Sequence, residues 1–380
     1  MKSILQLVAL LFVIPIAAAQ VPAGWLDLVN EFDAYVTADK VVGGSILYMR
    51  DGKVVVQHNT GYADRGAKKP VDNETIFHWG SITKQLTAIS ILQLRDEGQL
   101  TLDDKVTHYV PELRRIHDPY GKIDEITIRM LLNHTAGFQG PTWTYDKGEP
   151  WEPFEPTEWS QLVAMMPYQQ LLFTPGEKFS YSNPGYVYLG QIIEHLSGDP
   201  WDGYIHKNIF TPLGLQHSYF RKTPRYLRPY RSHGYFVTKD DKGVETIQDA
   251  GIDFDPGITT PNGGWNAPLS DIARFVAFLT AKPANDAVLP HSDLEEMWQP
   301  GKPMAKDQWM GLSTFVTKHG DATVLGHTGS QGAFRAAFYF NPATSAAVIY
   351  AFNTTSEQSR ARTAPLNDHL IDFLARGLSK

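Results

Sequence analysis

The alternation of apolar and polar residues predicts β-strands near both ends of the chain and helices between them. Apolar residues recur at helical spacing over 25–36, and two β-rich segments follow at 45–50 and 53–58 around Asp51-Gly52. An Asp-Gly pair between two such segments is a strong signal for a β-hairpin. The first part of the chain is therefore expected to form a helix and then a hairpin.

The centre of the chain has the pattern of helices joined by loops. From residue 81 to about 277, helical periodicity recurs in segments that proline- and glycine-rich connections separate. These segments are 84–97, 127–133, 158–165, 184–197, 201–209 and 270–280. This region is expected to be mainly helical.

Strand patterns return near the end of the chain. They cover 322–327, 333–340 and 346–353, with turn residues at 341–344 between the last two, and 366–378 has the pattern of a closing helix. Strands at both ends with helices between them predict one sheet assembled from the two ends of the chain. Such a chain cannot be divided into two consecutive domains.

The expected organisation is therefore a single unit over residues 20–380. A sheet domain is expected from residues 20–80 together with 281–380. Residues 81–280 are expected to form a mostly helical insertion in its middle.

The first residues have the composition of a targeting segment. Lys2 precedes an uncharged apolar run at 4–16, and alanines occupy 17–19. A basic start, a short apolar run and small residues are typical of a secretory signal peptide, and the run is too short to span a membrane. We expect residues 1–19 to be a signal peptide cleaved near Ala19, and the mature protein to be periplasmic or extracellular.

Composition narrows the possible partners. The 380 residues include 42% hydrophobic and 12% aromatic side chains, which is enough for a substantial core, and there is no cysteine for a disulfide or a lipid anchor. The net charge is −7 and no basic run occurs, which argues against nucleic acid or an anionic membrane surface as a partner. A small molecule or a peptide is the expected ligand, and the pattern gives no indication of oligomeric state.

Ser81 and Lys84 form the first candidate chemical pair. They are three positions apart at the start of a predicted helix, so both side chains lie on one face, where a deprotonated lysine can accept the proton of the serine hydroxyl. The unpaired backbone N–H groups and the dipole at this helix end also suit an oxyanion. The alternative interpretation is that Ser81 is an N-cap and Lys84 a solvated residue of the first turn.

Tyr181 and Asn183 form a second candidate cluster. They lie in a loop between proline- and glycine-containing segments, and residues two apart in an extended loop point the same way. A phenol near cations can shuttle a proton, and a carboxamide can bond both Lys84 and a substrate carbonyl. A purely structural role in the loop is the alternative.

The third cluster is His327-Thr328-Gly329-Ser330, at the end of a predicted strand. Alternation places His327 and Gly329 on one face and Thr328 and Ser330 on the other. A glycine inside a strand often marks the close approach of another backbone or of a ligand. Hydroxyl or N–H groups of Thr328 and Ser330 can bond a carboxylate or a carbonyl oxygen.

Taken together and in this order, the three motifs Ser81-x-x-Lys84, Tyr181-x-Asn183 and His327-Thr328-Gly329 resemble those of one family of serine hydrolases. The family includes class C β-lactamases, D-alanyl-D-alanine carboxypeptidases, D-aminopeptidases and related esterases. The resemblance extends from about residue 43 to 353 and includes 127–137 and 261–265.

The resemblance implies a fold and a set of roles. The fold would be the α/β (α+β) β-lactamase/transpeptidase-like fold, a five-stranded antiparallel sheet flanked by terminal helices beside a mostly helical domain. Ser81 would be the acylated nucleophile, Lys84 its base and Tyr181 the proton shuttle to the leaving group. Asn183 would orient Lys84 and the substrate, and the N–H groups of Ser81 and Ser330 would form the oxyanion hole. No cofactor or metal is implied.

His327 departs from the class C β-lactamase pattern, in which lysine is typical at this position, whereas carboxypeptidases and esterases of the family carry histidine. Because free histidine titrates near neutrality, its help to an anionic substrate is expected to be partial and pH-dependent. We also expect His327 to contribute to lowering the pKa of Lys84.

Three functions remain open at this stage. The first is a secreted acyl-serine hydrolase of the β-lactamase or carboxypeptidase type, and the second is an esterase or D-aminopeptidase that uses the same residues. The third is a penicillin-binding sensor that becomes acylated without turnover. A nucleophile-elbow hydrolase is disfavoured because no Gly-x-Ser-x-Gly occurs, and zinc-dependent hydrolysis is disfavoured because the metal-ligand spacings are absent.

A group of aromatic residues ahead of the Tyr181 loop, together with Trp265 later in the chain, is expected to form either the wall of an acyl pocket or part of the core. Those considered as a pocket wall are Trp143, Tyr145, Trp151, Phe154, Trp159 and Trp265. Arg335 is a candidate for holding a substrate carboxylate, with a solvated side chain as the alternative.

Overall fold

A computed structural model describes residues 21–141, 156–281 and 286–376, apart from the side chain of Arg360. The predicted signal peptide, residues 1–19, lies outside the described residues. No helix in the described part of the chain combines the length and the apolar character needed to cross a membrane.

The helices include most of those that the sequence predicts. In chain order they are α1 (Trp25–Ala38), α2 (Lys84–Asp96), α3 (Val106–Tyr109), α4 (Ile128–Leu132), α5 (Trp159–Met165), α6 (Asn183–Ser197), α7 (Trp201–Ile205), α8 (Thr211–Leu213), α9 (Thr260–Gly263), α10 (Leu269–Thr280), α11 (His291–Met297) and α12 (Ser359–Arg376).

The strands are concentrated towards the two ends of the chain. In chain order they are β1 (Gly43–Arg50), β2 (Lys53–Asp64), β3 (Lys69–Pro70), β4 (Ile76–Gly80), β5 (Gly234–Lys239), β6 (Glu245–Gly251), β7 (Trp265–Pro268), β8 (Pro303–Ala305), β9 (Gln308–Met310), β10 (Phe315–His319), β11 (Ala322–Gln331), β12 (Phe334–Asn341), β13 (Ala346–Phe352) and β14 (Thr354–Thr355).

One large antiparallel sheet joins the two ends of the chain. Among the described residues its strand order is β3-β2-β1-β13-β12-β11-β10-β9-β8. The central contact is between β1 and β13, whose register runs from Gly44 opposite Phe352 to Arg50 opposite Ala346. The predicted hairpin turns at Asp51 and Gly52, and both have positive φ, as a tight two-residue hairpin loop requires. The prediction of one antiparallel sheet built from both ends is confirmed.

The sheet is wider than the five strands expected, since the described residues contribute nine. The additional strands, β3, β8, β9 and β10, are two to five residues long and lie at the two edges. Segments this short have no alternation that can be recognised in the sequence. Their extended conformation follows from pairing with a neighbouring strand rather than from their own residues.

The two faces of the sheet bury different side chains. Along β12, Phe334 and Phe338 face the larger core, which includes α2, α6 and α10, whereas Ala337 and Tyr339 face α1 and α12. This alternation follows from the period-two geometry of a strand. It places Arg335 on the α1 and α12 face.

A buried carboxylate ties the two terminal helices together. Asp39, at the end of α1, is 1% exposed and accepts hydrogen bonds from Tyr35 Oη (3.1 Å), Ser356 Oγ (2.7 Å), Arg362 Nη1 (2.7 Å) and Ser359 Oγ. A buried charge requires such partners to offset its lost hydration. The last three donors precede or begin α12, so this cluster fixes α12 against α1.

Two features of the remaining chain were not expected from the sequence. The predicted helical region also contains the antiparallel pair β5 and β6, and β7, which pairs with β4. The closing helix begins at Ser359 rather than at 366, with Pro365 inside it. Proline usually marks a helix start or break, and here it lies within the helix.

Candidate active site

Ser81 lies between a buried strand and a buried helix. β4 ends at Gly80, residues Ser81–Thr83 form a 3₁₀ turn, and α2 begins at Lys84. The hydroxyl of Thr83 donates to the carbonyl oxygen of Gly80 (2.7 Å) and accepts from the N–H of Trp265 (2.9 Å). These bonds fix the turn, so that the half-buried Ser81 lies at a helix N-terminus as the sequence predicts.

Lys84 has three oxygen neighbours and none of them is charged. Its Nζ is 3.2 Å from Ser81 Oγ, 2.9 Å from Asn183 Oδ1 and 2.8 Å from the carbonyl oxygen of Asn262. Lys84 is 0% exposed. Burial lowers its pKa well below the usual value of 10.5, because the low-dielectric surroundings disfavour the charged ammonium. The interpretation of Lys84 as a solvated first-turn residue is therefore wrong.

The partners of Lys84 also determine where its lone pair points. A neutral amine has two N–H bonds and one lone pair. The oxygens of Asn183 and Asn262 can only accept, so they take the two N–H bonds. The lone pair is then left for the hydroxyl proton of Ser81, which is the geometry that a general base requires.

Tyr181 lies next to this pair on the loop that leads into α6. Lys84 Nζ is 5.0 Å from the centre of the Tyr181 ring. Asn183 is the first residue of α6, and its N–H donates to the carbonyl oxygen of Gly140 (3.0 Å). The side chain of Ser182 caps the same helix by accepting from the N–H of Gly185 (3.3 Å). The structure thus brings Ser81, Lys84, Tyr181 and Asn183 together.

His134 supports this loop, and sequence reasoning gave it no role. Its Nδ1 accepts the N–H of Ser182 (3.0 Å), which places the ring proton on Nε2, and its ring centre lies 4.3 Å from that of Tyr181. Burial lowers its pKa well below 6.5, and the proximity of Lys84 acts in the same direction. The only signal in the sequence was the likeness of residues 127–137 to the family.

The glycine in the third cluster is required by the approach of another backbone. A Cβ atom on Gly329 would lie 1.9 Å from the carbonyl oxygen of Trp79, and one on Gly80 would lie 2.9 Å from the backbone nitrogen of Ser330. β4 and β11 can therefore touch only because both positions are glycine. This contact brings Ser330 next to Ser81.

The edge of β11 beside Ser81 is open. β10 pairs with β11 only from Ala322 to Gly326, and residues 327–331 have no strand partner on that side within the described chain. Unpaired N–H and C=O groups of an edge are available to an extended ligand.

His327 is buried and neutral. It is 0% exposed, its Nδ1–H donates to the carbonyl oxygen of Thr328 (2.6 Å), and its ring stacks on Phe315 with centres 4.4 Å apart. Burial lowers its pKa to about 3, and the proximity of Lys84 acts in the same direction. The expectation that His327 titrates near neutrality is wrong, because free histidine was the reference and the ring is not solvated. A neutral His327 also cannot lower the pKa of Lys84 by charge.

Two further sequence candidates lie away from the cluster. Thr328 is opposite Ala337 in the β11–β12 register and so faces α1 and α12, as alternation predicts. Arg335 lies on the same remote face, where its Nε donates to Thr355 Oγ1 (2.9 Å). Arg335 is therefore not placed to hold a ligand beside Ser81.

The aromatic candidates divide into three groups. Trp143, Tyr145, Trp151 and Phe154 lie outside the described residues. Trp265 is a core residue, 0% exposed and in contact with Phe210 and Phe275. Trp159 lines a cavity of about 320 Å³ together with Val187, Ile258 and Pro261.

The described residues contain no cluster of three or more metal-ligating side chains. Within the same residues, the arrangement around Ser81 consists of a hydroxyl, a buried amine 3.2 Å from it whose pKa is lowered by burial, a phenol and a pair of converging backbone segments. This arrangement can perform nucleophilic acyl transfer.

The comparisons with known proteins agree with this geometry. The family model described as beta-lactamase matches residues 28–372. The flp protein of Staphylococcus aureus (strain COL) is 25% identical over 353 residues, which cover 91% of this chain and 66% of that protein. The chain thus spans just under two thirds of the length of this relative.

Solved structures have the same fold. The octameric penicillin-binding protein homologue from Pyrococcus abyssi has a TM-score of 0.74 at 27% identity, over 87% of this chain and 74% of that chain. The D-amino acid amidase from Ochrobactrum anthropi SV3 has a TM-score of 0.74 at 21% identity, over 93% and 99% of the two chains. The β-lactamase/transpeptidase-like fold predicted from the sequence is confirmed.

Proposed function

This chain belongs to the beta-lactamase family of serine hydrolases, and we propose that it cleaves amide or ester bonds through an acyl-enzyme formed on Ser81. The observation that carries the proposal is the position of Lys84. Its buried amine lies 3.2 Å from Ser81 Oγ, 2.9 Å from Asn183 Oδ1 and 2.8 Å from the carbonyl oxygen of Asn262, so the neutral form can direct its lone pair at Ser81.

In the acylation step, the oxygen of Ser81 attacks the substrate carbonyl carbon while Lys84 takes the hydroxyl proton. The carbonyl oxygen becomes negative, and the N–H groups of Ser81 and Ser330 are proposed to stabilise it. Each such donor is typically worth about 10²–10³ in rate. The contact of Gly80 with Ser330 supports this role, since it holds the two backbone segments side by side.

Departure of the amine or alcohol requires a proton. Tyr181, beside Lys84, is proposed to pass this proton from the Lys84 ammonium to the leaving group and later to take a proton from the hydrolytic water. Asn183 is proposed to hold both Lys84 and the substrate amide. Water then attacks the acyl carbon and releases Ser81.

The test is the intact mass of the protein after exposure to a β-lactam and to an activated ester. A mass increase equal to the acyl group is expected, with Ser81→Ala as the control that gains no mass. If Ser81→Ala hydrolyses the ester as fast as the wild-type protein, the proposal is wrong.

The same measurement separates the remaining candidates. An esterase or D-aminopeptidase would turn over the ester or a peptide quickly and the lactam slowly or not at all. A penicillin-binding sensor would keep the acyl group for hours without turnover. The penicillin-binding sensor is supported by the similarity of this chain, at 27% identity, to the Pyrococcus abyssi protein that is named a penicillin-binding protein homologue.

We also propose that the protein is exported, with cleavage near Ala19. The composition of residues 1–19 supports this proposal. N-terminal sequencing of the mature protein is expected to begin near Gln20, and an intact Met1 in the purified native protein would contradict export.

A further inference from the structure

The side chain of Gln331 connects three segments that meet at the proposed site. Gln331 follows Ser330 at the end of β11, and its amide lies 3.3 Å from Nε2 of His78 on β4. The three atoms nearest to a Cβ placed on Gly263 of α9 all belong to the Gln331 side chain, at 2.0, 2.9 and 3.4 Å. Gln331 therefore joins the end of β11 to both β4 and α9.

Each of these segments carries a different part of the proposed machinery. β4 leads directly into Ser81. α9 provides the carbonyl oxygen of Asn262 that lies 2.8 Å from Lys84 Nζ, and β11 provides the N–H of Ser330. The distances between nucleophile, base and oxyanion donor thus depend on how the three segments are held together.

Asn266 fixes the tautomer of His78. The side-chain nitrogen of Asn266 donates to the carbonyl oxygens of Tyr219 (3.4 Å) and Gly264 (3.2 Å), so its Oδ1 is the atom that faces His78 Nδ1, at 2.9 Å. An amide oxygen only accepts, and Nδ1 therefore carries the ring proton. Burial lowers the pKa of His78 to about 4, and the charge of Arg231 acts in the same direction. The ring is thus neutral near pH 7, with a lone pair on Nε2.

The neutral His78 determines which end of the Gln331 amide faces it. An amide oxygen cannot bond to a lone pair, whereas the NH2 group at the other end of the amide can donate to it. The two ends have nearly the same shape, so a half turn of the amide satisfies this contact. Gln331 is then held by a hydrogen bond to His78 as well as by its packing on Gly263.

We propose that Gln331 is a positioning residue of the acyl-transfer site. By bonding His78 and packing on Gly263, it holds β11 and α9 at fixed positions beside Ser81. It acts through the backbone groups of Ser330 and Asn262. This inference rests on the proposed function and adds to it a residue that none of the three sequence motifs contains.

Gln331→Met tests the amide. Methionine has nearly the same length, so the packing is largely kept while the hydrogen bond to His78 is lost. For an activated ester, kcat is expected to fall by about 10- to 100-fold, because a misplacement of about 1 Å can cost about 100-fold. KM should stay within about threefold, since the role concerns the transition state. Gln299→Met, at an exposed position after α11, is the matched control and should keep the wild-type kcat. A wild-type kcat in Gln331→Met would overturn the inference.

A double-variant cycle separates positioning from a general loss of structure. In Gly263→Ala the new Cβ would lie 2.0 Å from Gln331 Oε1, so the unchanged amide is pushed away from His78. This variant alone is expected to lower kcat about as much as Gln331→Met does. Combined with Gln331→Ala, it should cause little further loss, because the clashing atoms are gone. Additive losses would show that the two positions act independently and would overturn the inference.

Gln331→Glu gives a pH signature that packing alone would not produce. Its carboxylate faces the lone pair of a neutral His78 and is repelled, whereas uptake of one proton by the pair restores a bond between them. The ratio of kcat/KM in this variant to that of the wild-type protein is therefore expected to rise at least about threefold from about pH 8 to about pH 6. A constant ratio would contradict the role of this bond.

Nitrogen NMR of the histidine rings examines the wild-type protein itself, whether or not the variants fold. His78 is expected to carry its proton on Nδ1 and to accept a hydrogen bond at Nε2. A proton on Nε2 would overturn the inference.

The outcomes also separate this inference from the function on which it rests. If the wild-type protein is acylated on Ser81 and Gln331→Met matches its kcat, the function stands and the positioning role is wrong. If Ser81→Ala hydrolyses the ester as fast as the wild-type protein, the function fails and the inference fails with it.

Discussion

The side-chain nitrogen of Lys84 lies 3.2 Å from the hydroxyl oxygen of Ser81, and its two other neighbours are uncharged oxygens. Catalytic lysines with a neighbouring carboxylate stay protonated, because the ion pair stabilises the charge. Here burial acts without such a partner and lowers the pKa of Lys84 well below its usual value, which favours the neutral amine. The proposed base is thus prepared by exclusion of water rather than by a second charge.

Replacing this amine should remove most of the activity. Lys84→Met keeps an unbranched side chain of nearly the same length and removes the lone pair, so kcat/KM is expected to fall by about 10²–10⁴, the usual contribution of a general base. Steady-state kinetics on an activated ester measure the change. The matched control is Lys178→Met, at an exposed position paired with Glu177, which should stay within about twofold of the wild-type protein. A Lys84→Met protein that is folded and fully active would contradict the role of Lys84.

The pH profile should depend on Lys84 and not on His327. Because the pKa of Lys84 is lowered, kcat/KM is expected to rise with pH through that lowered value and to reach its plateau well below pH 10.5. His327, with its pKa lowered to about 3, stays neutral throughout this range. The acid limb of His327→Gln should therefore coincide with that of the wild-type protein. A displacement of that limb by a full pH unit would show that His327 titrates in the working range.

Three buried histidines should make the free energy of unfolding fall as the pH is lowered. The pKa of His78 is lowered to about 4 and that of His327 to about 3, and that of His134 is also lowered, in each case mainly by burial. Between these values and about 6.5, the unfolded chain binds protons that the native state does not. The free energy of unfolding should therefore fall with decreasing pH by about 1.4 kcal/mol per pH unit for each histidine.

Urea unfolding at pH 7, 6 and 5 measures this slope, and histidine NMR identifies its source. The three imidazoles are expected to show no titration shift between pH 5 and 8. A flat stability curve over this range, or a midpoint near 6.5 for any of the three rings, would contradict their burial as neutral groups.

The contact between β4 and β11 should not tolerate a single methyl group. In Gly329→Ala the new Cβ would lie 1.9 Å from the carbonyl oxygen of Trp79, so the two segments must separate and Ser330 must move away from Ser81. Activity is expected to fall at least about 100-fold, the effect of losing one oxyanion donor. Gly203→Ala in α7 is the control, because its Cβ would meet only Pro200 at 3.8 Å. Wild-type activity in Gly329→Ala would show that this contact does not position the site.

The carboxylate of Asp39 should matter for stability and not for catalysis. Asp39→Ala leaves four donors between α1 and α12 without their acceptor, and the free energy of unfolding is expected to drop by about 3 kcal/mol. Asp253→Ala removes a half-exposed ion pair with Arg228 and should cost less than about 1 kcal/mol. Denaturant unfolding measures both variants. Activity of the folded Asp39→Ala protein should be unchanged, and a loss of kcat without loss of stability would place Asp39 in a different role.

The sequence predicted the parts of this molecule that have a local signal. The Asp51-Gly52 hairpin, the amphipathic helices and the strands β11 to β13 follow from turn chemistry and periodicity. The convergence of Ser81, Lys84, Tyr181 and Asn183 followed from the resemblance of three motifs. Gly329 was recognised as a close-contact position from its place in a strand.

What the sequence did not predict depends on partners distant in the chain. The short edge strands and the β4–β7 pair are extended because a neighbour is extended. The neutral state of His327 depends on Phe315 and on the surrounding core, which no spacing in the sequence reveals. The role of Asn262 in binding Lys84 uses a backbone carbonyl, and a backbone atom leaves no trace in residue type.

The pairing of β1 with β13 has a consequence for how this molecule comes into being. Gly43 and Asn353 are 310 positions apart, and they are joined by a hydrogen bond of 2.8 Å from the backbone of one to the side chain of the other. Closing a loop of that length costs about 5 kcal/mol of chain entropy before any contact is gained. The sheet must therefore assemble late, after nearly all of the polypeptide has been synthesised. A nascent or truncated chain that lacks β13 leaves one edge of the apolar β1 unpaired and vulnerable to aggregation, so the complete sheet that supports the proposed site arises only once the two ends have met.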